Sequence, residues 1–164
     1  MQNLIKIPLG LKGKIYRSPM PFGQFDLGYT SFEEFKEAEV DTAVVLVPEN
    51  ELLQRSGLDL LKYYREKKIG IIHLPMADFD VPDSNQDLED AINETIRQAK
   101  EGKNLAVHCF AGRGRTGMFI GLLARRTLNM GGAEAITWTR KFFPAIETGN
   151  QRQIVITNNY QEED

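Results

Sequence analysis

The sequence predicts an α/β protein with a central, mostly parallel sheet of four to five strands and helices on both faces. Three apolar runs support this prediction, because residues 42–47, 69–74 and 105–107 are rich in the aliphatic residues of buried strands. Helical patterns separate these runs, and continuous apolar strands between helices are typical of a parallel sheet covered on both sides. At 164 residues we expect one domain, residues 1–164.

In the first half of the chain, strands and helices alternate. The order begins with a short edge strand at residues 13–17. A helix follows at residues 31–39, and Ser31 and Glu34 have the spacing of a capping box at its start. The next strand, at residues 42–47, is apolar and β-branched and is the first strand expected in the core.

The second half continues this alternation and closes with two helices. Ser84 and Asp87 predict a capped helix start, and the apolar residues that follow share one helical face. The elements expected here are a helix at 57–68, a strand at 69–74, a helix at 85–100, a strand at 105–107, a helix from about 115, and helices at 132–143 and 150–160.

The most informative segment, residues 108–117, connects a predicted strand to a predicted helix. It contains Cys109, the only cysteine of the chain, and five residues separate this cysteine from Arg115. Ligands of parallel sheets bind at the carboxyl ends of the strands, which is where this segment lies. A sulfur nucleophile, a glycine-rich loop and a guanidinium are therefore expected to meet at one point.

This combination suits a phosphate group that is to be attacked. The first N–H groups of a helix have no partner within the helix, and glycines let a loop turn such groups inward around an anion. Arg115 can bind two phosphate oxygens at once, and Thr116 places a hydroxyl near the sulfur, where it can ease departure of the thiolate. The expected phosphate-binding residues are Phe110, Ala111, Gly112, Arg113, Gly114 and Arg115.

Cys109 is the expected nucleophile, because a helix N-terminus and a nearby cation both favour a thiolate. Other interpretations of the segment are weaker. A lone cysteine is often a small core residue. Gly112, Gly114 and Gly117 also match the dinucleotide-binding fingerprint, but that motif needs a further strand ending in an acidic residue. Met118 stands where a nucleoside-triphosphate loop would need lysine.

Hydrolysis of a phosphate ester also needs a proton for the departing oxygen, and an acidic side chain on a neighbouring loop can supply it. Residues 74–83 leave the carboxyl end of the adjacent predicted strand and contain Asp78, Asp80 and Asp83. Asp83 is best explained as a helix-start residue. The pattern by itself leaves the choice between Asp78 and Asp80 open.

The chain resembles a known superfamily at several places. The pattern His-Cys-(five residues)-Arg-Thr-Gly at residues 108–117 resembles the signature of the cysteine-dependent protein tyrosine phosphatases. Residues 75–83 are similar to the acid loop of the dual-specificity branch, especially its cyclin-dependent kinase-associated phosphatase-like members. Residues 15–19 and 145–151 also resemble family segments. The chain lacks the tryptophan-containing acid loop of the larger tyrosine-specific enzymes, which implies a shallower, broader site.

The resemblance implies a role for each site residue. Cys109 attacks phosphorus and forms a phosphocysteine, Arg115 and the loop N–H groups hold the oxygens, and Asp78 is the general acid. Asp78 then activates the water that releases phosphate. No metal or organic cofactor is needed, and the two histidines lack other clustered donors for a metal site.

Three supporting residues are also implied. His108 is expected to form hydrogen bonds behind the loop and to tune Cys109. Glu147 stands where many relatives carry a glutamine that positions the hydrolytic water, so Gln151 can serve instead. The alternative is that Glu147 is a solvated surface residue before the last helix.

The expected substrates are phosphotyrosine and phosphoserine or phosphothreonine in proteins, or small phosphate esters. Arg113 at the loop rim favours the alternative of a phosphoinositide substrate, but Phe110 replaces the second basic residue of the lipid-phosphatase relatives. Two further alternatives are a phosphoprotein-binding module without turnover and a nucleotide-dependent oxidoreductase. Retention of both Cys109 and Asp78 argues against the binding module.

Composition limits the partners and the location. The net charge of -3 argues against nucleic-acid binding. No apolar run approaches the roughly 18 residues of a membrane span, and residues 1–10 have no apolar core of a signal peptide. A single cysteine excludes an intrachain disulfide and favours a reducing compartment. We therefore expect a cytoplasmic monomer.

Overall fold

A five-stranded sheet in the order β1-β2-β5-β3-β4 lies at the centre of the protein. The computed structural model describes residues 1–158. Strand β1 runs antiparallel to β2, and the other neighbouring strands are parallel. The strands are β1 (Ile5–Ile7), β2 (Ile15–Ser18), β3 (Thr42–Val45), β4 (Gly70–His73) and β5 (Leu105–His108). The predicted α/β class and mostly parallel sheet are confirmed.

Helices surround this sheet, and one of them has the predicted bounds. Helix α4 covers residues 85–100, and the Ser84 hydroxyl accepts a hydrogen bond from the Asp87 N–H at 3.1 Å, as the sequence predicts. Within the described residues the helices are α1 (Ser31–Glu37), α2 (Glu49–Ser56), α3 (Leu60–Glu66), α4 (Asn85–Lys100), α5 (Gly114–Thr127), α6 (Gly132–Thr139) and α7 (Gly149–Thr157).

The prediction of an edge strand at residues 13–17 is wrong. Strand β2 lies between β1 and β5, with Ile15 opposite Ile7 on one side and Leu105 on the other. Strand β1 takes the edge position. It is only three residues long and carries Lys6 among its apolar residues, so its sequence gives almost no periodic signal.

The predicted start of the helix at residues 57–68 is also wrong. Helix α2 comes first and ends at Ser56, and the next residue, Gly57, has a φ of 77°, the left-handed backbone conformation common after helices. Helix α3 begins only after Asp59, whose side chain accepts a hydrogen bond from the Lys62 N–H at 3.1 Å. Helix α2 was not predicted from the sequence, although it carries two side chains of the site.

The capping box predicted for α1 is absent because both of its side chains have other partners. The Ser31 hydroxyl donates to Asp26 at 2.6 Å. Glu34 accepts hydrogen bonds from the backbone and side chain of Asn3 at 2.9 and 2.7 Å. The Glu34 carboxylate therefore joins the N-terminal segment to α1 through hydrogen bonds and does not cap the helix.

The two closing helices differ from their predicted bounds. Helix α6 stops at Thr139, and residues 140–142 continue in tight turns. Helix α7 starts at Gly149 and ends at Thr157; the predicted end at Tyr160 lies outside the described residues. Across residues 1–158, no helix combines the length and apolar character needed to cross a bilayer.

The centre of the sheet positions the site. Strand β5 lies between two parallel neighbours and is fully buried. Helix α5 follows it and is buried along its first three turns, from Gly114 to Ala124. Loop residues 109–113 are therefore held between two buried elements at the carboxyl edge of the sheet.

Candidate active site

The loop after β5 forms an open cradle of backbone N–H groups. Cys109 is 3% exposed and follows directly on the strand. Among residues 1–158, no protein acceptor receives a hydrogen bond from the backbone N–H of any residue from 110 to 115. The first helical hydrogen bond runs from the Gly117 N–H to the Arg113 carbonyl at 2.8 Å. Free donors at a helix N-terminus form an anion-binding site.

Arg17 of β2 holds the outer side of this loop. Its guanidinium donates to the carbonyls of Gly112 at 2.9 Å, Ala111 at 3.0 Å and Asn3 at 2.7 Å. Burial lowers the pKa of Arg17 to about 10, although the charge of Cys109 opposes this shift. With the loop carbonyls drawn outward to Arg17, the loop N–H groups are free to face the opposite side.

Gly112 is required by this close approach. Its φ is 74°, and a Cβ atom at this position would lie 2.4 Å from the Ser18 carbonyl oxygen. Any other residue would therefore separate the loop from β2 as well as strain the backbone. The glycine identified in the sequence thus has a definite structural cause.

Arg115 is the most deeply buried charge of the site, with 1% of its surface exposed. Its two terminal nitrogens donate to the carboxylate of Glu51 at 2.8 and 3.2 Å, and Nη1 also donates to the Met76 carbonyl at 3.0 Å. Burial lowers its pKa, but the hydrogen bonds to Glu51 and the charge of Cys109 outweigh burial and raise it. Arg115 is therefore a fixed positive charge beside the cysteine.

Two buried polar atoms at the cradle lack a protein partner within the part of the chain that the structure describes. They are Nε of Arg115 and Oγ1 of Thr116. Buried polar atoms are almost always hydrogen-bonded, so each such exception requires an explanation. A donor on the arginine and a hydroxyl on the next residue are complementary to the oxygens of a bound anion.

His108 directly precedes Cys109, and both nitrogens of its ring have hydrogen-bond partners. Its Nδ1 is 3.1 Å from the Cys109 carbonyl and its Nε2 is 2.8 Å from the Tyr64 hydroxyl. Burial lowers the pKa of His108 to about 4, so the ring is neutral near neutral pH. Nδ1–H therefore donates to the carbonyl, and Nε2 accepts from Tyr64. Tyr64 belongs to α3 and was not among the predicted site residues.

The three aspartates of the acid loop, residues 75–83, have different surroundings. Asp78 reaches the cradle, with Oδ1 at 3.1 Å from Nη2 of Arg115. Among residues 1–158, the Asp80 side chain accepts only a local hydrogen bond, from the Val81 N–H at 2.9 Å. Asp83 is exposed and lies next to Ser84 at the start of α4. The geometry brings Asp78, and neither of the other two, to Arg115.

Aromatic and basic side chains form the rim of the cradle. The Phe110 ring meets the edge of Phe25 with centroids 5.1 Å apart, and the Arg113 guanidinium lies 5.4 Å from the Phe25 centroid. On the other side, the Arg55 guanidinium lies 4.0 Å from the Phe110 centroid. Arg113 is exposed, as its predicted rim position requires.

Glu147 and Gln151 both adjoin the cradle at Gly114. A Cβ atom on Gly114 would lie 2.7 Å from Oε1 of Glu147 and 3.0 Å from Oε1 of Gln151. Gln151 is fully buried; its side chain accepts from the Glu147 N–H at 2.9 Å and donates to the Asp80 carbonyl at 3.2 Å. Gln151 thus joins α7 to the acid loop, whereas the Glu147 side chain is exposed.

Sequence reasoning missed Glu51 and Arg55, which both lie on α2. A signal for that helix is present in the sequence. Pro48 is followed by acidic residues in the first turn, and Gly57 stands just past the last turn. No group of three or more potential metal ligands comes together among residues 1–158.

The arrangement brings together a buried cysteine, a cradle of free N–H groups, a buried arginine and a carboxylate at its mouth. On a parallel sheet this defines a phosphatase of the dual-specificity and protein-tyrosine-phosphatase class. Residues 26–127 match the family described as "polymorphic toxin system, DSP-PTPase phosphatase", and the chain belongs to this family.

Individual relatives agree with this assignment. The chain is 35% identical over 80 residues to mouse dual specificity protein phosphatase CDC14B, a match that covers 48% of this chain and 16% of that protein. Its fold is similar to kinase associated phosphatase, with a TM-score of 0.81 and 20% identity, covering 93% and 90% of the two chains. It is also similar to Tk-PTP, with a TM-score of 0.71 and 26% identity, covering 87% and 89%.

Proposed function

We propose that the protein hydrolyses phosphate monoesters through a phosphocysteine on Cys109. One observation carries this proposal: Nε of Arg115 and Oγ1 of Thr116 are buried without a protein partner among the described residues, beside the loop that holds Cys109. A phosphoryl group in the cradle would satisfy both the arginine and the free loop N–H groups. The kinase associated phosphatase was solved with its catalytic-site cysteine replaced by serine, and the proposal gives Cys109 that role here.

In the first step, the Cys109 thiolate forms a bond to phosphorus while the bond to the leaving oxygen breaks. Charge on the three remaining phosphoryl oxygens is stabilised by Arg115 and by the N–H groups of residues 110–115. These donors are held in place before the reaction by Arg17 and Glu51, so they need little reorganisation during it. The proposal gives the Thr116 hydroxyl the role of stabilising the sulfur when it departs in the second step.

Asp78 handles the proton in both steps. In its acid form it protonates the leaving oxygen, and as a carboxylate it removes a proton from the water that attacks the phosphocysteine. The proposal assigns this role to Asp78 rather than Asp80 because only Asp78 contacts Arg115. Glu147 and Gln151 adjoin the loop at Gly114 and are the candidates for orienting that water.

Phosphorylated proteins are the proposed substrates, with phosphotyrosine and phosphoserine or phosphothreonine both accepted. The half-buried aromatic rings of Phe25 and Phe110 at the rim can contact a peptide beside the phosphorylated residue. Phosphoinositides are the second candidate, favoured by the exposed guanidinium of Arg113 at the rim. A protein of similar fold, PTPMT1, was solved in complex with PI(5)P.

The test uses the purified chain with a chromogenic aryl phosphate and an excess of metal chelator. We expect turnover that is unaffected by the chelator and is abolished in Cys109→Ser, because a serine hydroxyl is hardly ionised near neutral pH. Iodoacetate should inactivate the enzyme by alkylating its only cysteine, and inorganic phosphate should protect it.

Three outcomes would contradict the proposal. They are a tenth of the activity remaining in Cys109→Ser, loss of wild-type activity to the chelator, and phosphopeptide binding without turnover. The substrate class is tested separately with phosphotyrosine peptides, phosphothreonine peptides and phosphoinositide vesicles. Faster hydrolysis of the vesicles than of either peptide would favour the phosphoinositide candidate.

A further inference from the structure

Arg55 touches three separate parts of the site. It lies in the last turn of α2, and its Nη1 is 3.1 Å from Oδ2 of Asp78. The same nitrogen is 3.7 Å from the carboxylate of Glu51, which holds Arg115. The guanidinium also lies 4.0 Å from the centroid of the Phe110 ring, within the range of a cation–π contact. One side chain thus joins the acid loop, the catalytic loop and α2.

The contact from Asp78 to Arg115 cannot by itself hold the acid loop during the reaction. Arg115 is the residue proposed to bind the phosphoryl oxygens, so a bound substrate competes with Asp78 for its terminal nitrogens. Arg55 is outside the cradle and has no such competitor. Its contact with Asp78 can persist when a phosphate is bound.

The orientation of the carboxyl group follows from the same contact. A guanidinium only donates hydrogen bonds, so Oδ2 of Asp78 accepts from Arg55, whereas Oδ1 accepts from the Phe79 N–H at 3.0 Å and lies 3.1 Å from Nη2 of Arg115, facing the cradle. When a bound phosphoryl group takes Nη2 of Arg115, Oδ1 loses that donor while Oδ2 keeps Arg55, so the transferable proton is on Oδ1. When the leaving oxygen takes that proton, the Oδ1–H bond breaks and Asp78 becomes a carboxylate paired with Arg55.

We propose that Arg55 is a positioning residue that holds Asp78 over the cradle and directs the proton of its Oδ1 to the leaving oxygen. This inference rests on the proposed function. Arg55 touches neither the phosphoryl group nor Cys109 in this scheme; it acts through Asp78 and is steadied by Phe110. Its removal should impair leaving-group protonation and leave phosphate binding intact.

The test compares Arg55→Ala with the wild type on phosphate esters of increasing leaving-group pKa. For alkyl esters, which need the proton most, we expect kcat/KM to fall by about tenfold or more. For an aryl ester with an acidic phenol, kcat/KM should stay near the wild-type value. Inhibition by inorganic phosphate should be unchanged, which would show an intact cradle, and Arg55→Lys should recover part of the lost rate.

A double variant separates positioning from a general structural effect. If Arg55 acts through Asp78, then Arg55→Ala should cause no further loss of kcat/KM in an Asp78→Asn background. Arg97→Ala is the matched control, because Arg97 is an exposed arginine of α4 that pairs with Glu94 and Glu101 away from the site. This control should match the wild type on every ester.

The inference fails if Arg55→Ala lowers kcat/KM equally for all esters, or lowers it as much in the Asp78→Asn background as in the wild type. Failure of the proposed function would look different. In that case Asp78→Asn itself would show no dependence on the leaving group, or Cys109→Ser would remain active. Leaving-group dependence in Asp78→Asn but not in Arg55→Ala would overturn the inference about Arg55 alone.

Discussion

The two loops of the site are held in different ways. The catalytic loop, residues 109–113, lies between a buried strand and a buried helix, and Arg17 draws its carbonyls outward through two hydrogen bonds. The acid loop, residues 75–83, is largely exposed. Its Phe79 has 56% of its surface exposed and a φ of 62°, a backbone conformation rare for an aromatic residue.

This difference separates two tasks. Phosphate binding needs donors that are fixed before the substrate arrives, and a buried, doubly anchored loop supplies them. Proton transfer needs a carboxyl group that can give way to a substrate and return. An exposed loop, joined to the rest of the site by Arg55, Arg115 and Gln151, allows this. Variants in the two loops should therefore damage different steps.

The largest effect expected from the acid loop is that of Asp78→Asn. For alkyl phosphates kcat/KM should fall by about 10²- to 10⁴-fold, the usual contribution of a general acid, and the loss of kcat/KM should shrink for acidic phenol esters, although their kcat stays low because Asp78 also activates the water of the second step. The inhibition constant for inorganic phosphate should be unchanged. Steady-state kinetics over a series of esters gives the dependence on the leaving group, and the same assays with added inorganic phosphate give its inhibition constant. Equal losses for all esters would show that another residue is the general acid, and Asp80 would be the first candidate.

For the catalytic loop, we expect the opposite pattern from Arg17→Met, a variant in β2 that removes the anchor of the loop: the loss should be the same for every ester. Without the guanidinium, the carbonyls of Ala111 and Gly112 lose their donors and the loop N–H groups lose their fixed direction. We expect kcat/KM to fall by about 100-fold for every ester, with weaker inhibition by inorganic phosphate. Arg97→Met serves as the control. Normal phosphate inhibition in Arg17→Met would show that the loop keeps its shape without this anchor.

The buried His108, next to the catalytic loop, makes the free energy of unfolding of the protein depend on pH. Its folded pKa of about 4 lies below the usual 6.5, so between these values the unfolded chain binds a proton that the folded chain does not. The free energy of unfolding therefore falls as pH decreases through this window, by roughly 3 kcal/mol from this group. Above the window His108 contributes no pH dependence.

Urea unfolding at about pH 7 and about pH 4 checks this, since His108→Asn should show a smaller decrease than the wild type. The difference between the two proteins isolates His108 from the carboxyl groups that titrate in the same range. Identical decreases would show that the histidine accepts its proton in the folded state.

The smallest effect is expected from Glu147→Gln, beside the start of α5. The Glu147 side chain is exposed beside Gly114, and an ionised carboxylate close to phosphoryl oxygens is unfavourable. A neutral glutamine should leave the phosphoenzyme burst unchanged and leave its hydrolysis similar or faster. Rapid-quench kinetics separates these steps, and a large fall in the burst rate would show that Glu147 acts in the first of them.

Local sequence predicts the catalytic loop better than its surroundings. The residues from His108 to Thr116 form one strand–loop–helix unit, so their types and spacing alone indicate the cradle. Gly112 is a clear case, because its φ of 74° is a local requirement. The order of the strands is harder to predict from the sequence. Strand β1 is too short to give a periodic pattern, so the sequence predicts β2 as the edge strand.

The residues that hold the site were missed because their contacts span long stretches of sequence. Arg17 reaches carbonyls 94 and 95 residues away, and Glu51 reaches Arg115 across 64 residues. A lone arginine within a short strand, or a glutamate and an arginine one helical turn apart, is ordinary surface composition. Only the folded sheet brings these charges to one edge.

The most direct test of the central claim is to trap the phosphoryl group on the catalytic loop. Asp78→Asn should form a phosphoenzyme readily from an aryl phosphate with an acidic phenol, but should hydrolyse it slowly because the general base is gone. After an acid quench during turnover, mass spectrometry should find one phosphoryl group, on the peptide that contains Cys109. Turnover with Cys109 unmodified, or with the phosphoryl group on another residue, would contradict the account.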